Sequence, residues 1–244
     1  MKKVGFIPAR YDSSRFPGKP LALIAGKPMI RHVYERALSC PDLTEVWVAT
    51  DDERIFSAVI GFEGKALMTG KAHCSGTDRV FEAASKIGLD EDDIVVNIQG
   101  DQPAFNPSVI SQLVNILLDD KSIPMATLMW KVTAENPLKS PSDVTVVTDS
   151  RGFALYFSRS PIPFCREAEP GHAYYKHLGF YGYRMSFLSQ FARLSEGALE
   201  SIEKLEMLRA LEHGYQIKVL ETPFDSVEVD SPEHIQKVEG MIRV

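Results

Sequence analysis

Two short apolar runs, far apart in the chain, each lead to an aspartate beside a proline-containing turn. Residues 95–103 deliver Asp101, and residues 227–232 deliver Asp230. In an α/β protein, side chains that follow strands lie at the carboxyl edge of the sheet, where ligands bind. Mg²⁺ takes few protein ligands and is often held by one or two carboxylates together with nucleotide phosphates. We therefore predict that Asp101 and Asp230 are Mg²⁺ ligands. The alternatives are a turn-forming role for Asp101 and a helix-capping role for Asp230, at the start of an Asp-Ser-Pro segment.

A cationic loop follows the first predicted strand. Residues 8–20 carry Arg10, Arg15 and Lys19, together with a pair of serines at 13 and 14 and a glycine at 18. Small residues let backbone N–H groups approach phosphates, and cations beyond them neutralise charge. The loop is neither a Walker A motif nor a G-x-G-x-x-G motif. An ordinary polar surface loop is the alternative, but the concentration of cations between prolines favours a polyphosphate site.

Further polar segments are candidate ligand sites. In residues 73–79, Thr77 reads as a helix N-cap, and Gly76 and Arg79 suggest a ligand role. Gln99 and Asp101 point to one face by strand alternation, and the glycine between them leaves room for a ligand. Three donors and one acceptor in the second half could bind a carboxylate or sugar hydroxyls; they are Arg159, Lys176, His177 and Glu206.

Several of the polar residues in these segments could instead have a purely structural role. His177 could equally be a satisfied residue among aromatics. Residues 199–212 could form one amphipathic helix that buries its leucines and exposes Glu200 and Glu203. Cys74 reads as a small filler, because no histidine relay is readable around it.

Composition bounds the class of protein. The chain has 244 residues, 44% of them hydrophobic, and a net charge of −6, which argues against general nucleic-acid binding. Three widely spaced cysteines favour a reduced, cytoplasmic setting. No stretch reads as a signal peptide or a membrane span, so we expect no membrane insertion.

The periodicity alternates strands and helices in the first half, as in an α/β protein. Strands are predicted at 4–7, 45–50, 66–69, 94–98, 125–131, 143–148, 153–158 and 215–221. Helices are predicted at 28–38, 54–60, 78–87, 108–118, 199–212 and 231–242. The successive strands after residue 125 predict antiparallel pairing at a sheet edge or in a subdomain. Residues 158–173 form a long connection, expected to be mobile or at an interface.

An ordered set of motifs covers nearly the whole chain, from residue 7 to about 239. It comprises residues 8–21, 26–30, 49–51, 73–79, 97–103, 154–163, 177–183 and 205–209. Together these closely resemble the 3-deoxy-manno-octulosonate cytidylyltransferase (CMP-Kdo synthetase) family. The resemblance implies an α/β fold: a nucleotidyltransferase-type, Rossmann-like three-layer domain with a mixed central sheet and a small antiparallel dimerisation extension. Residues 1–244 would be one domain, with about 150–190 as the dimerisation and sugar-binding extension.

The resemblance also implies an activity and a set of sites. CMP would be transferred from CTP to the anomeric hydroxyl of Kdo, with Mg²⁺, in a cytoplasmic homodimer serving lipopolysaccharide synthesis. The implied CTP-binding residues are Ala9, Arg10, Ser13, Lys19, Ser75, Arg79 and Gln99. The implied catalytic residues are Arg15, Lys19, Asp101 and Asp230, of which the two aspartates hold the metal. The implied sugar-binding residues are Arg15, Arg159, His177, Tyr181 and Glu206.

The chain departs from the family pattern at several positions. They are Cys74, Asp78, Gln102, Lys176, Met207 and the segment 226–229 before Asp230. Lys176 and that segment resemble relatives that activate 8-amino-8-deoxy-Kdo, so this acceptor stays open. A sialic-acid-like acceptor and a non-catalytic CTP-binding regulator are less favoured alternatives.

Overall fold

A mixed sheet forms the centre of the protein, whose computed structural model describes residues 1–12, 16–73, 75–133, 143–167 and 173–242. Within these residues the strands are β1 (Lys3–Ala9), β2 (Leu23–Ile24), β3 (Lys27–Pro28), β4 (Glu45–Thr50), β5 (Ala66–Met68), β6 (Ile94–Asn97), β7 (Met125–Lys131), β8 (Thr145–Thr148), β9 (Ala154–Ser158), β10 (Tyr175–Arg184) and β11 (Ile217–Thr222). The main sheet runs in the order β11-β7-β10-β6-β1-β4-β5, and β2 and β3 form a separate hairpin.

Strand β10 is the reversed strand of this path. It pairs antiparallel with β6 on one side and with β7 on the other, whereas the pairs β1–β4, β1–β6, β4–β5 and β7–β11 are parallel. The amino end of β10 therefore lies at the same edge as the carboxyl ends of its neighbours. Strand β8 pairs antiparallel with β10 and with β9, which forms the small antiparallel part of the sheet.

Helices cover both faces of the sheet. They are α1 (Met29–Leu38), α2 (Glu53–Gly61), α3 (Gly76–Lys86), α4 (Ser108–Asp119), α5 (Met185–Phe191), α6 (Ala198–Glu203), α7 (Met207–Glu212) and α8 (His234–Ile242). Helices α1, α2 and α4 share one apolar cluster with Ile7 and Val96, and α3, α5 and α7 share another with Phe6 and Val95. Neighbouring residues of one strand thus feed opposite cores, as strand alternation requires. The predicted three-layer α/β fold with a mixed sheet is confirmed.

Several predicted elements differ from the observed ones. Strand β7 lies inside the main sheet, between β10 and β11, so the antiparallel edge consists of β8 and β9. Strand β10 and helix α5 were not predicted. The predicted N-cap Thr77 is wrong, because Ser75 caps α3 by accepting from the Asp78 N–H, and Thr77 is buried inside the first turn.

The predicted single helix at 199–212 is also wrong. It breaks after α6 at Lys204, whose left-handed φ of 54° ends the helical path. Ile202 is 78% exposed, so the apolar face expected of one helix is not maintained. Glu200 was expected to be exposed but is buried, where both its oxygens accept from the guanidinium of Arg209. These bonds and the turn fix α6 against α7.

Among the helices in the described parts of the chain, none has the length and apolar character needed to cross a bilayer. The role of residues 150–190 as a dimerisation extension stays a prediction.

Candidate functional site

Two adjoining cavities lie at the sheet edge where β1 and β6 end and β10 begins. The first has a volume of about 390 Å³, and the second about 250 Å³. Gln99 and Asp230 line both of them. The first cavity takes its walls from residues after β1 and β6 and from the start of α3, and the second from β10, the end of β9 and the α6–α7 break.

An acid–lysine centre joins the two predicted metal ligands in the first cavity. The Lys19 ammonium lies 2.7 Å from Asp101 Oδ2 and 3.7 Å from Asp230 Oδ1. Gly18 precedes Lys19 with a φ of 71°, a left-handed conformation that glycine adopts without strain. The Val229 N–H donates to the Asp101 carbonyl at 2.8 Å, which ties the two acidic segments together. The two aspartates, 129 positions apart in sequence, thus converge on one cation.

This centre fits a divalent metal ion. Two carboxylates within reach of one ammonium group can also surround a small cation, and their hard oxygen atoms are the ligands that Mg²⁺ prefers. Within the described residues, no group of three or more histidine, cysteine or acidic side chains could hold a metal ion. A metal held by two carboxylates needs the rest of its coordination from phosphates and water, as expected for Mg²⁺ on a nucleotide.

A third carboxylate, Glu228, lies beside this centre and lines the second cavity. Burial raises its pKa to about 7, with further contributions from the negative charges of Asp101 and Asp230. The Gln102 amide donates to Glu228 Oε1 at 3.3 Å and to the Leu178 carbonyl at 2.9 Å. Sequence reasoning assigned no role to Glu228, although it stands two residues before Asp230.

The first cavity brings together most of the predicted nucleotide residues. Ala9, Arg10, Lys19, Ser75, Arg79, Gln99 and Asp101 all line it. Ser13 and Arg15 lie outside the described residues. Arg79 is buried and donates to Thr69 Oγ1 at 2.5 Å, while its other nitrogen lies 3.1 Å from an Asp51 carboxylate oxygen. A Cβ at residue 100 would lie 3.2 Å from the Pro8 carbonyl, so Gly100 also permits the close approach of this turn to β1.

The cationic loop is fastened at its base. The Tyr11 carbonyl accepts from the Gly18 N–H at 2.9 Å, and the Tyr11 ring packs against Gly18. On the other side of the loop, the Arg54 guanidinium of α2 lies 3.2 Å from the centre of the Tyr11 ring. Asp52 holds this guanidinium through two hydrogen bonds, at 2.9 and 2.6 Å. These contacts fix Tyr11 and Gly18, the neighbours of Arg10 and Lys19 in the chain.

The second cavity brings together the predicted sugar residues of the described chain. Arg159, His177, Tyr181 and Glu206 all line it. A register shift in β10 between His177 and Tyr181 surrounds Gly179, whose φ is 75°. The Gly179 carbonyl accepts from the Gln99 amide at 2.7 Å. This bulge brings Gln99, a residue of the first cavity, into contact with the wall of the second, as β-bulges often re-aim side chains at functional sites.

His177 and Tyr181 are buried side chains of β10. Burial lowers the pKa of His177 to about 3, so its imidazole is neutral at physiological pH. Thr127 Oγ1 lies 2.9 Å from its Nε2, and the ring packs edge-on against Phe157. Burial raises the pKa of Tyr181 well above its usual value, which keeps that side chain a neutral phenol. His177 is therefore both a satisfied structural residue and part of the cavity wall.

Glu206 begins α7 directly after the helix break. Its Oε2 accepts from Thr77 Oγ1 at 2.8 Å, which links the second cavity to helix α3 of the first. Its Oε1 is buried without a hydrogen-bond partner in the described part of the chain. Burial raises the pKa of this carboxyl. A buried acceptor atom facing a cavity is expected to receive a donor from a ligand.

Arg159 and Lys176 place cationic groups at the second cavity. The backbone N–H of Arg159 donates to Glu203 Oε2 at 3.0 Å, and its Nε donates to the Glu203 carbonyl at 2.7 Å. Lys176 pairs with Asp225 at 3.1 Å. Glu203 was expected to be an exposed residue of an amphipathic helix but instead holds the end of β9 against the helix break.

Sequence reasoning missed several cavity residues. Besides Glu228, they include Met29 and His73 in the first cavity and Asp143 and Lys204 in the second. His73 stands in the same polar segment as Ser75 and Arg79, a proximity that could have identified it. Lys204 had no signal, because it depends on the helix break.

Known proteins are similar to this chain over most of its length. A family model of cytidylyltransferases matches residues 4–219. The 3-deoxy-manno-octulosonate cytidylyltransferase of Syntrophus aciditrophicus is 53% identical over 99% of this chain and 97% of that relative. The 8-amino-3,8-dideoxy-manno-octulosonate cytidylyltransferase of Shewanella sp. strain ANA-3 is 52% identical over 98% of this chain and 97% of that relative.

A solved structure of a CMP:2-keto-3-deoxy-manno-octonic acid synthetase complexed with CTP has a TM-score of 0.92 at 46% identity. The match covers 100% of this chain and 99% of the solved chain. The fold and the site define a nucleotidyltransferase. The chain belongs to the cytidylyltransferase family.

Proposed function

We propose that this enzyme transfers CMP from CTP to the anomeric hydroxyl of 3-deoxy-manno-octulosonate (Kdo), releasing pyrophosphate. The observation that carries the proposal is the junction of two cavities at Gln99 and Asp230. One cavity has the cations and carboxylates suited to a metal-bound triphosphate, and the other has the donors and buried acceptors suited to a sugar acid. The proposal is supported by relatives of that name that are 53–55% identical over at least 98% of the chain.

The nucleotide would lie in the first cavity with its phosphates at the acid–lysine centre. Arg10 and Lys19 would neutralise phosphate charge, and the contacts of Tyr11 and Gly18 fix the backbone next to both residues. Cations placed beside the phosphates stabilise the charge of the transition state.

Kdo would lie in the second cavity with its C2 hydroxyl toward the α-phosphorus. The hydroxyl oxygen attacks in line, the new bond joins that oxygen to phosphorus, and the bond to the pyrophosphate oxygen breaks. The hydroxyl proton passes to solvent water, pyrophosphate is the leaving group, and no covalent enzyme intermediate is needed. Arg159 supplies a cation for the C1 carboxylate, while Glu206 Oε1 accepts from a sugar hydroxyl. Holding both reactants in one geometry supplies much of the acceleration.

Mg²⁺ is the proposed cofactor, held by Asp101 and Asp230. When bound, it would polarise the phosphate and lower the pKa of the attacking hydroxyl. The Lys19 ammonium now lies beside both carboxylates, where the metal would bind. Lys19 would therefore leave these carboxylates and contact the phosphates.

8-Amino-8-deoxy-Kdo is the second candidate acceptor. The observation that favours it is the partly buried Glu228, a carboxylate that lines the second cavity and is held by Gln102. A carboxylate in this place can receive an ammonium group more strongly than a hydroxyl. Relatives named for the amino sugar are nearly as similar to this chain as those named for Kdo.

A pyrophosphate-release assay tests the proposal and its alternatives. Purified protein is given CTP and Mg²⁺ with Kdo, with 8-amino-8-deoxy-Kdo, or with a sialic acid as the control acceptor. We expect the highest kcat/KM with Kdo. A higher kcat/KM with the amino sugar would replace Kdo as the acceptor. Binding of CTP without release with any acceptor would instead identify a regulator that binds CTP.

A homodimer and a cytoplasmic location complete the proposal. Leu155 on β9, Phe164 in the connection after it and Ile202 on α6 are 62%, 87% and 78% exposed. Leu155 and Phe164 belong to the predicted extension at about 150–190, and we propose that a second copy of the chain covers these side chains. Light scattering after size exclusion should give twice the mass of one chain, and Phe164→Ser should shift the mass toward that of one chain. The cytoplasm follows from the use of CTP as the donor.

A further inference from the structure

Helix α3 bonds both the N–H and the carbonyl of Gly70, in the turn that precedes the helix. The Glu82 carboxylate accepts from the Gly70 N–H at 2.8 Å, and the Arg79 guanidinium donates to the Gly70 carbonyl at 3.4 Å. His73 extends from this turn to the wall of the first cavity. Its Nε2 bonds to the same Glu82 oxygen. Residues of α3 therefore fix the position of the imidazole, although His73 itself lies in a turn.

Glu82 also fixes the protonation of the His73 ring nitrogens. Burial opposes ionisation of this carboxyl, but hydrogen bonds from Lys86, His73 and Gly70 outweigh it and lower its pKa to about 2. An ionised carboxylate can only accept hydrogen bonds, so Nε2 of His73 carries a proton. In a neutral imidazole the other nitrogen, Nδ1, is then an acceptor.

The ring orientation separates the two nitrogens. Nε2 and Cδ2 of His73 face Gly70, at 3.5 and 3.9 Å from the place that a Cβ would take there. The edge with Nδ1 therefore points away from Gly70 and Glu82. Since Glu82 bonds the opposite edge, Nδ1 is the nitrogen available to the cavity that His73 lines.

This wall and the acid–lysine centre come from different segments of the chain. His73, Ser75, Gly76 and Arg79 belong to the connection between β5 and α3 and to the first turn of α3, whereas Lys19 contacts both Asp101 and Asp230. With the phosphates of a nucleotide at the acid–lysine centre, the wall that contains His73 would be left for its base.

We propose that Nδ1 of His73 accepts a hydrogen bond from the 4-amino group of cytosine, and that Glu82 makes this contact selective by holding the proton on Nε2. This inference rests on the proposed use of CTP. Uracil carries a carbonyl oxygen where cytosine carries the amino group, so UTP would place two acceptors against each other. A site that hydrogen-bonds a substrate group rejects an analogue lacking it far more strongly than an apolar pocket does.

The first test measures nucleotide binding without a sugar acceptor, so that it does not depend on which sugar is used. Dissociation constants for CTP and UTP are measured by calorimetry with Mg²⁺ for the wild type and His73→Ala. The wild type should prefer CTP, and His73→Ala should lower that preference at least tenfold, mainly by weakening CTP. An unchanged preference in His73→Ala, or a wild type that binds both nucleotides equally, would overturn the inference.

The second test changes the proton and leaves the imidazole in place. In Glu82→Gln the amide can donate to Nε2 as well as accept from it, so Nδ1 can carry the proton and donate to the uracil oxygen. We expect UTP to bind several-fold better and CTP several-fold worse. Lys86→Met is the matched control, because Lys86 contacts the other Glu82 oxygen and leaves the imidazole bond in place; its preference should equal that of the wild type.

A parallel loss of both nucleotides in Glu82→Gln would show that Glu82 supports the turn alone, and this would also overturn the inference. Failure of the proposed function is separable, since it would appear as a wild type that binds CTP selectively and yet releases no pyrophosphate with any acceptor.

Discussion

The first and second cavities differ in how the chain assembles them. The walls of the first come largely from segments that adjoin the parallel strands, the loop after β1, the turn after β6 and the start of α3. The second is built from the end of β9, the start of the reversed strand β10 and the break between α6 and α7. Their charges differ too. The first holds paired ions such as Lys19 with Asp101, whereas the second holds groups whose pKa values burial displaces, such as His177 and Glu206. A site that follows parallel strands is easier to recognise from sequence, whereas the second cavity depends on the pairing of β10 and on the helix break.

The largest effect should follow from neutralising the acid–lysine centre. Asp101→Asn and Asp230→Asn remove one carboxylate each from a site with few protein ligands, so turnover should fall by roughly 10²-fold or more. Pyrophosphate release at limiting Mg²⁺ measures this, with Asp149→Asn in an exposed turn as the matched control. Near-normal rates in both variants would contradict the metal assignment.

Glu206 should separate the two cavities functionally. Glu206→Ala removes the buried acceptor of the second cavity, so kcat/KM for the sugar should fall at least about tenfold, or about 1.4 kcal/mol. CTP affinity should stay within a few-fold, because the phosphates are held by the first cavity. Glu196→Gln, on the exposed surface, is the control. An equal loss of CTP affinity would show that Glu206 supports the fold and not the acceptor.

His177 should give the second cavity a pH-dependent stability. Its pKa of about 3 lies below the ordinary value of 6.5, so the unfolded chain binds a proton that the folded chain does not. The folded state therefore loses stability as pH falls below about 6.5, by at most roughly 1.4 kcal/mol per pH unit. Urea unfolding at pH 7 and pH 5 should show a smaller decrease for His177→Gln than for the wild type. Equal decreases would contradict the neutral, buried imidazole.

The smallest effect should come from loss of the contact between Arg54 and the Tyr11 ring, next to Arg10. Arg54→Ala removes an exposed cation–π contact, which is weak because solvent reaches both groups. The KM for CTP should therefore rise about two- to fivefold with kcat nearly unchanged. Arg151→Ala provides a matched control, since its guanidinium lies 5.4 Å from the centre of the Phe153 ring, away from the loop. A KM for CTP unaffected by Arg54→Ala would mean that the loop is held without this contact.

The same contrast explains what the sequence could predict. Strands β4 and β7 were predicted to the residue, because continuous apolar runs define buried strands. Local motifs and the resemblance together predicted a set of nucleotide residues, and every member of that set in the described chain lines the first cavity, although Met29 and His73 of the same cavity were missed. Strand β10 was missed because its residues were read as a ligand motif, although their aromatic content suits a strand.

The helix break was beyond local reasoning. Residues 199–212 have good helical propensity throughout, and nothing local marks Lys204 as a left-handed residue. Tertiary bonds from Ser158 and Arg159 to Glu203 hold the end of α6, and tertiary context overrides propensity. Glu206 nevertheless lines the second cavity together with the other predicted sugar residues of the described chain, and the resemblance, not the periodicity, had grouped them.

The reversed direction of β10 lets the acceptor pocket change while the pairing of β10 with β6 is kept. Because β10 begins at the ligand-binding edge, Lys176 and His177 near its start line the second cavity. The ladder with β6, at Tyr181–Arg184, lies beyond the bulge at Gly179, whereas the ladder with β7 continues on both sides of it. Side chains at the start of β10 can therefore change the acceptor pocket without shifting the pairing with β6, the strand that precedes Gln99 and Asp101. Exchange of Lys176 between relatives that use different sugars would be a compact route to a new acceptor on an unchanged nucleotide site.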